Sequence, residues 1–239
     1  FETISLKSDA TYSITLNSGA SALTISGSNV TSSSNTITLN GANVSTSALS
    51  MTGGAGNATL TGGGGNDTVT AASGNDTLTG GAGNDTVNVT VGTDTINDLG
   101  GSSGAESDVL VVSSGATTNA TLNGSFTATG ATANNGTAVI TSASAAIGTI
   151  NLSAAVGSNG FTVNNASATG ATTITGSSNN DTITASSHGD TITGGDGNDT
   201  LTGGASNDTL TGGVGTDTFN VTSGTDRKST RLNSSHLGI

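Results

Sequence analysis

The chain lacks cysteine altogether, and only 2 % of its 239 residues are aromatic and 8 % charged. Without cysteine there is no disulfide framework and no thiol chemistry. With so few large side chains, an ordinary globular core is hard to build. Basic residues number 4 against 16 acidic ones, for a formal net charge of −12. A nucleic-acid-binding surface needs basic patches, so that class is excluded. No apolar run approaches the ~18–20 residues that cross a membrane as a helix. The start, FETISLKSDA, has no initiator Met and no basic-then-apolar signal peptide, and reads as an internal fragment. There is no HExxH, no GxSxG, no Walker loop and no His paired with Ser or Cys, so the expectation is a non-enzyme.

What the chain does have is glycine, 38 residues or about twice the usual share, together with Thr, Ser, Asn and Ala. Such a composition suits either disorder or a repetitive β architecture. Spacing decides for the second. Aspartates stand nine residues apart at Asp67, Asp76, Asp85 and Asp94, and again at Asp181, Asp190, Asp199, Asp208 and Asp217. The units between them read GGGGNDTVT, GGAGNDTVN and GGDGNDTLT. Gly53 and Gly176, which open the two blocks, are 123 residues apart, so a long repeat overlies the short one.

Each unit has the pattern Gly-Gly-x-Gly-x-Asp-x-apolar-x. Its end, such as Asp-Thr-Leu-Thr, suits a short strand with one side chain facing inward. Its glycine-rich start suits a tight turn, where φ > 0 carries no penalty for glycine. Two units make a coil of strand, turn, strand and turn. Coils stack at ~4.8 Å, so residues 18 apart lie directly above one another. The predicted fold is all-β: a parallel β-roll, a two-sided solenoid of nonapeptides, with β-rich spacers. One inward Val, Leu or Ile per unit returns only about 1.5–3 kcal/mol, a thin core for nine ordered residues. Carboxylates stacked about 5 Å apart repel by roughly 0.8 kcal/mol in water and ~3 kcal/mol at an effective dielectric near 20. A counter-ion is therefore needed. Carboxylates beside bare glycine carbonyls offer hard oxygens, which suit Ca²⁺, and nearby Cys or His for zinc or copper is lacking. The predicted cofactor is Ca²⁺, several ions per chain, supplying folding energy directly.

These units resemble the repeats-in-toxin (RTX), or haemolysin-type, calcium-binding nonapeptide, over residues 53–97 and 176–226. The resemblance implies parallel β-rolls with Ca²⁺ in the turns, in secreted bacterial toxins, proteases, lipases, adhesins and S-layer proteins that fold on meeting extracellular calcium. Carried over residue by residue, it pairs Asp67 with Asp85, Asp76 with Asp94, Asp181 with Asp199, Asp190 with Asp208, Asp199 with Asp217, and Asp208 with Asp226. It assigns ligating carbonyls to Gly62, Gly63, Gly65, Gly80, Gly81, Gly83, Gly194, Gly195 and Gly197. Ala58 replaces an aspartate, so the first unit is expected to lack a full site. Ala71-Ala72 and Ser186-Ser187 replace turn glycines, and His188 and Ser206 replace the fourth-position glycine; weaker sites are expected there. Asp196 is expected to face solvent, Asp98, Glu106 and Asp108 to lie in a solvated loop over 98–108, with a capping calcium there as the alternative, and His188 to be an exposed, idle turn residue. The rows of Thr are read as β-propensity and solubility.

The resulting organisation is a β-rich spacer over 1–52, a calcium-binding roll over 53–97, a loop or cap and spacer over 98–175, and a second roll over 176–226. The tail DRKSTRLNSSHLGI breaks the repeat and holds Arg227, Lys228 and Arg231, three of the four basic residues. It matches the conceptual translation of a common sequencing-library adapter, so residues 227–239 are expected to be an artefact. The function expected is the calcium-binding repeat region of a secreted bacterial surface protein, S-layer- or adhesin-like, extracellular or at the cell surface. Expected partners are calcium, identical chains or cell-surface polysaccharide, with no nucleic acid and no transmembrane segment. The alternative is the calcium-binding appendage of a secreted protease, lipase or epimerase.

Overall fold

A computed structural model describes residues 2–7, 10–100, 107–143 and 147–221, and the backbone of Arg227–Ser229. Every element among the described residues is a strand. The strands form three parallel sheets. The first has eight strands, from Glu2–Ser5 to Val156–Gly157. The second has eleven, from Tyr12–Thr15 to Thr218–Asn220, and the third six, from Phe126–Thr127 to Arg227–Ser229. Successive strands visit different sheets, so the chain winds as a solenoid, as the nonapeptide pattern predicts.

Within the aspartate blocks the register is 18 residues. Thr59 pairs with Thr77 and Thr77 with Thr95 in the second sheet. Thr68 pairs with Thr86 in the first sheet, and Thr173 with Thr191 and Thr191 with Thr209 in the third. The inward side chains stack into columns. Leu60, Leu78 and Ile96 form one, Ile183 and Leu201 another, and Ile174, Ile192 and Leu210 a third, all fully buried. Threonines flank them on the outer surface. The strand period of two thus sorts every Thr-apolar-Thr triplet into one buried and two outward side chains.

The spacers prove to be coils of the same solenoid. Their registers are longer and irregular: Leu23 on Leu49, Thr117 on Thr137, Ala138 on Phe161. In the spacer between the two blocks the extra residues supply a third face. Phe126–Thr127, Ala133–Asn134 and Thr137–Ser142, consecutive along the chain, lie in the third, first and second sheets. A wider coil encloses more space, and Phe126 and Phe161 are both buried there. The second sheet runs unbroken through both aspartate blocks and the spacer between them.

The predicted loop over 98–108 needs correction. Asp98 and Leu99 belong to the strand Thr93–Leu99, which slips register between Ile96 and Leu99. Leu99 is fully buried, and that burial keeps the chain on the stack. Residues 101–106, with Glu106, lie outside the described residues. So do Asp226 and residues 230–239 of the tail; the Arg227–Ser229 backbone pairs in parallel with Thr209–Thr211. Among the described residues no helix is long and apolar enough to cross a membrane.

Because each nonapeptide contributes one large apolar side chain to the interior, the columns should dominate stability. Leu60→Ala should lower unfolding free energy by about 2–5 kcal/mol. Thr59→Ala, on the outer surface of the same strand, should change it by less than about 0.5 kcal/mol. Urea denaturation at saturating calcium distinguishes the two.

Candidate metal centre

The aspartates point into the solenoid. Asp67, Asp76, Asp85, Asp94, Asp181, Asp190, Asp199 and Asp208 are each no more than 2 % exposed, while Asp217, on the last coil, is half-buried. One carboxylate oxygen of each has a fixed task. Asp85 Oδ1 accepts the backbone N–H of Asp67 at 2.8 Å, and Asp94 Oδ1 that of Asp76 at 2.8 Å. Asp199 accepts from Asp181, Asp208 from Asp190, and Asp217 from Asp199, at 2.8, 2.8 and 3.0 Å. Five predicted pairs are therefore stacked and directly bonded; the sixth, Asp208 with Asp226, lies outside the described residues. A strand's first amide, left over where the turn meets the sheet, is satisfied by the carboxylate one coil further on.

A second ladder runs the other way, and sequence reasoning missed it. The fifth-position asparagine accepts, on Oδ1, the N–H of the residue one coil later. Asn57 receives Asn75 at 3.0 Å and Asn75 receives Thr93 at 3.2 Å. Asn66 receives Asn84 at 3.0 Å; Asn180 receives Asn198 and Asn198 receives Thr216, both at 2.7 Å. The signal was the Asn before each Asp in NDT. Each turn is thus tied upward by one side chain and downward by the next.

The other carboxylate oxygen sits in the mouth of the turn. In Asp85, Asp94 and Asp199 this Oδ2 is buried and has no hydrogen-bond partner. Backbone carbonyls lie beside it. A Cβ built on Gly62 would collide with both Asp67 Oδ2 and the Gly80 carbonyl oxygen. Gly176 stands the same way against Asp181 Oδ2 and the Gly194 carbonyl, and Gly194 against Asp199 Oδ2 and the Gly212 carbonyl. Glycine at these places keeps open a small space lined by a carboxylate oxygen and a carbonyl from the next coil. Gly81, Gly83, Gly195 and Gly197 adopt φ between 107 and 123°. Ser206, in the fourth position, is forced to φ 77°, the only such non-glycine among the described residues.

Among the described residues no three acidic or histidine side chains converge, so a bound cation must draw on backbone carbonyls. The donors are hard oxygens and fit Ca²⁺. Where serine replaces glycine, the carboxylate is already satisfied. Ser177 N–H and Oγ reach Asp181 Oδ2 at 2.6 and 3.0 Å, and Ser186 N–H and Oγ reach Asp190 Oδ2 at 2.9 and 2.8 Å. At Gly53, where Ala58 replaces the aspartate, the nearest atom to an added Cβ is the Ala58 methyl at 3.3 Å. His188 is half-buried rather than exposed, because its backbone N–H bonds to Ser186 Oγ at 3.1 Å and holds the turn inward. Asp196 is exposed, as predicted.

Asp98 and Asp108 are not solvated loop residues. Asp98 accepts the N–H groups of Gly80 and Gly81, both at 3.0 Å. Asp108 is 3 % exposed and accepts Asp85 N–H at 2.9 Å and Gly100 N–H at 2.7 Å. Asp108 is thus the next rung above Asp85, displaced from 18 to 23 residues by an insertion. Its motif, Asp108-Val109-Leu110-Val111, was the available signal.

Burial raises six of the ladder carboxyl groups. Asp85 is pushed up to about 7 by burial, with the charges of Asp108, Asp67 and Asp98 adding to it. Burial also lifts Asp94 to about 6, helped by Asp76, and Asp199 to about 6, helped by Asp181, Asp217 and Asp196. Asp67, Asp76 and Asp181 are raised for the same first reason. A carboxyl raised on folding stabilises the fold below its unfolded pKa, and that contribution is lost as pH rises through the folded value. Metal-free chain should therefore gain β structure on acidification from pH 8 to about 4. Calcium competes with the same protons, so its affinity should fall as pH drops below about 6–7. Circular dichroism in chelator and calcium titrations at several pH values check both; loss of structure on acidification in chelator would contradict the first. Separately, Asn198→Ala should cost about 1 kcal/mol by removing the acceptor for Thr216 N–H, read by urea denaturation.

Compared with known families, the chain matches HemolysinCabind, the RTX calcium-binding nonapeptide repeat, in four copies over residues 52–87, 168–201, 184–219 and 193–227. No curated protein and no solved structure matches it. Sequence match and coil geometry agree: this chain carries RTX calcium-binding nonapeptide repeats, and calcium is the ion such repeats bind.

Proposed function

We propose that the two nonapeptide blocks form ladders of Ca²⁺ sites, as part of a secreted bacterial surface protein of S-layer or adhesin type. The carboxylates of Asp67, Asp76, Asp85, Asp94, Asp181, Asp190, Asp199, Asp208 and Asp217 supply the charge. The carbonyls of Gly62, Gly63, Gly65, Gly80, Gly81, Gly83, Gly194, Gly195 and Gly197 supply the remaining oxygens. The observation that carries this reading is the buried Oδ2 of Asp85, Asp94 and Asp199, left without a hydrogen bond at the turn mouth. A buried ionised carboxylate oxygen whose lone pairs meet no donor is costly unless a cation meets it. Asp181 and Asp190, satisfied by serines, and Asp67, whose Oδ2 accepts Gly63 N–H at 2.6 Å, are the weaker members.

The role is non-catalytic. Metal-free, the ladder carries carboxylates that resist ionisation near neutral pH, so the roll is least stable where calcium is scarce. Extracellular calcium-binding modules work at roughly 10⁻⁴–10⁻³ M, which ties folding to the outside of a cell. Identical chains and cell-surface polysaccharide are the partners that suit a long rod covered mainly by Thr and Asn.

The test is far-UV circular dichroism of the chain during a calcium titration, with magnesium and chelator controls. A cooperative coil-to-β transition specific for Ca²⁺ is expected. No spectral change together with no bound calcium by equilibrium dialysis would overturn the ladder.

A further inference from the structure

Where the wide coils meet the second block, the row of turns is interrupted. The run before the first block reads SNTITLN over 34–40, and the run before the second reads SNGFTVN over 158–164. Gly160 thus stands where the earlier run has Thr36. Thr162 pairs with Thr182, which puts Gly160 in register with Asn180 on the next coil. A Cβ on Gly160 would collide with the Asn180 carbonyl oxygen, so glycine is what lets the two turns come this close. Asn180 also heads the asparagine ladder of the second block, its Oδ1 accepting Asn198 N–H at 2.7 Å. In the coil before it, Gly160 has no side chain with which to accept Asn180 N–H in the same way.

Around that missing side chain lies a cleft of about 510 Å³, spanning three successive coils. Thr137 lines it on the first, Asn159 and Thr162 on the second, and Ser178, Asn179 and Asn180 on the third. Its size falls within the range of about 300–1,000 Å³ common to ligand sites. No charged and no aromatic side chain lines it. Part of the polar wall is used by the fold. Asn159 Nδ2 donates to the Gly136 carbonyl at 2.7 Å, and Asn179 Nδ2 to the Gly157 carbonyl at 3.4 Å. The rest makes no hydrogen bond among the described residues. Asn159 Oδ1 and Asn179 Oδ1 are acceptors, Asn180 Nδ2 is a donor, and the Thr137, Thr162 and Ser178 hydroxyls can act as either.

The lining decides the class of ligand. An anion would call for a cationic side chain, and the lining has none. A metal ion would call for an ionised oxygen, but Asp181, next to Asn180, points into the roll and is 2 % exposed. An apolar ligand would leave the amides and hydroxyls unpaired. Neutral groups that mix donors with acceptors match the hydroxyls of a sugar, each of which both donates and accepts. We propose that this cleft binds a short stretch of an uncharged polysaccharide laid across the three turns. Gly160 provides the floor, the three asparagines the amide contacts, and the threonine and serine hydroxyls the adaptable ones. With no aromatic ring to stack on, a single site is weak. The site rests on the folded roll and on polysaccharide as the partner, and it is independent of which oxygens hold calcium.

The test is saturation-transfer NMR and titration calorimetry of the full chain in calcium, with a panel of neutral hexose and N-acetylhexosamine tri- and tetrasaccharides. Oligogalacturonate is the charged control. At least one neutral member should bind, and oligogalacturonate should not. Thr162→Trp, which fills the cleft from an exposed strand position, should weaken binding at least about tenfold. Ser178→Ala should weaken it by a few-fold. Thr59→Trp, exposed on the same sheet in the first block, should leave it unchanged. Circular dichroism of each variant in calcium reads folding separately. No binding by any neutral member, preference for oligogalacturonate, or equal binding by Thr162→Trp and the parent chain would overturn the site. A normal calcium transition in the same samples would leave the ladder standing.

Discussion

The structure depends on how each buried aspartate divides its two oxygens. One accepts the backbone amide of the coil before and fixes the stacking register. In Asp85, Asp94 and Asp199 the other is left at the turn mouth without a hydrogen bond. The first oxygen makes the coil possible and the second makes it incomplete. A neutral side chain could satisfy the amide, but it would not call for a cation. The asparagine one residue earlier shows this: it ties adjacent turns in the opposite direction, from an exposed position, and needs nothing further.

Regular and irregular coils then divide the work. Where the repeat is strict, coils are narrow, two-faced and dependent on their turns. Where it relaxes between the two blocks, coils widen to three faces and enclose Phe126 and Phe161, so more of their stability comes from ordinary apolar burial. The buried polar cluster beneath the second block belongs to this transition. Asn165 Nδ2 donates to Thr172 Oγ1 at 2.9 Å, and Thr172 N–H donates to Asp190 Oδ1 at 2.6 Å. The last wide coils thereby hand their hydrogen bonds directly to the first rung of the carboxylate ladder.

The coil period, the inward columns and the stacked aspartate pairs were legible in the sequence, because a nine-residue repeat with one Asp and one apolar residue leaves little freedom. Three features were not. Asp108 performs a rung's task five residues out of register, and a reader counting nines passes over it. The asparagine ladder was hidden because Asn before Asp also suits an ordinary turn. The three-faced coils carry no fixed period, so alternation alone gave strands without saying how they stack. In each case the missing information is long-range: which amide, one coil away, a polar side chain must answer.

The unbroken eleven-stranded sheet has a mechanical consequence. A folded coil adds only about 4.8 Å to the length of the rod. The 18 residues within it, drawn out straight, span about 60 Å. Tension along the axis loads coils one after another, because each is bonded only to its two neighbours. A rod of this kind yields in steps, each releasing more than ten times the length it gives up, and the occupancy of its turns sets the force at which a step occurs.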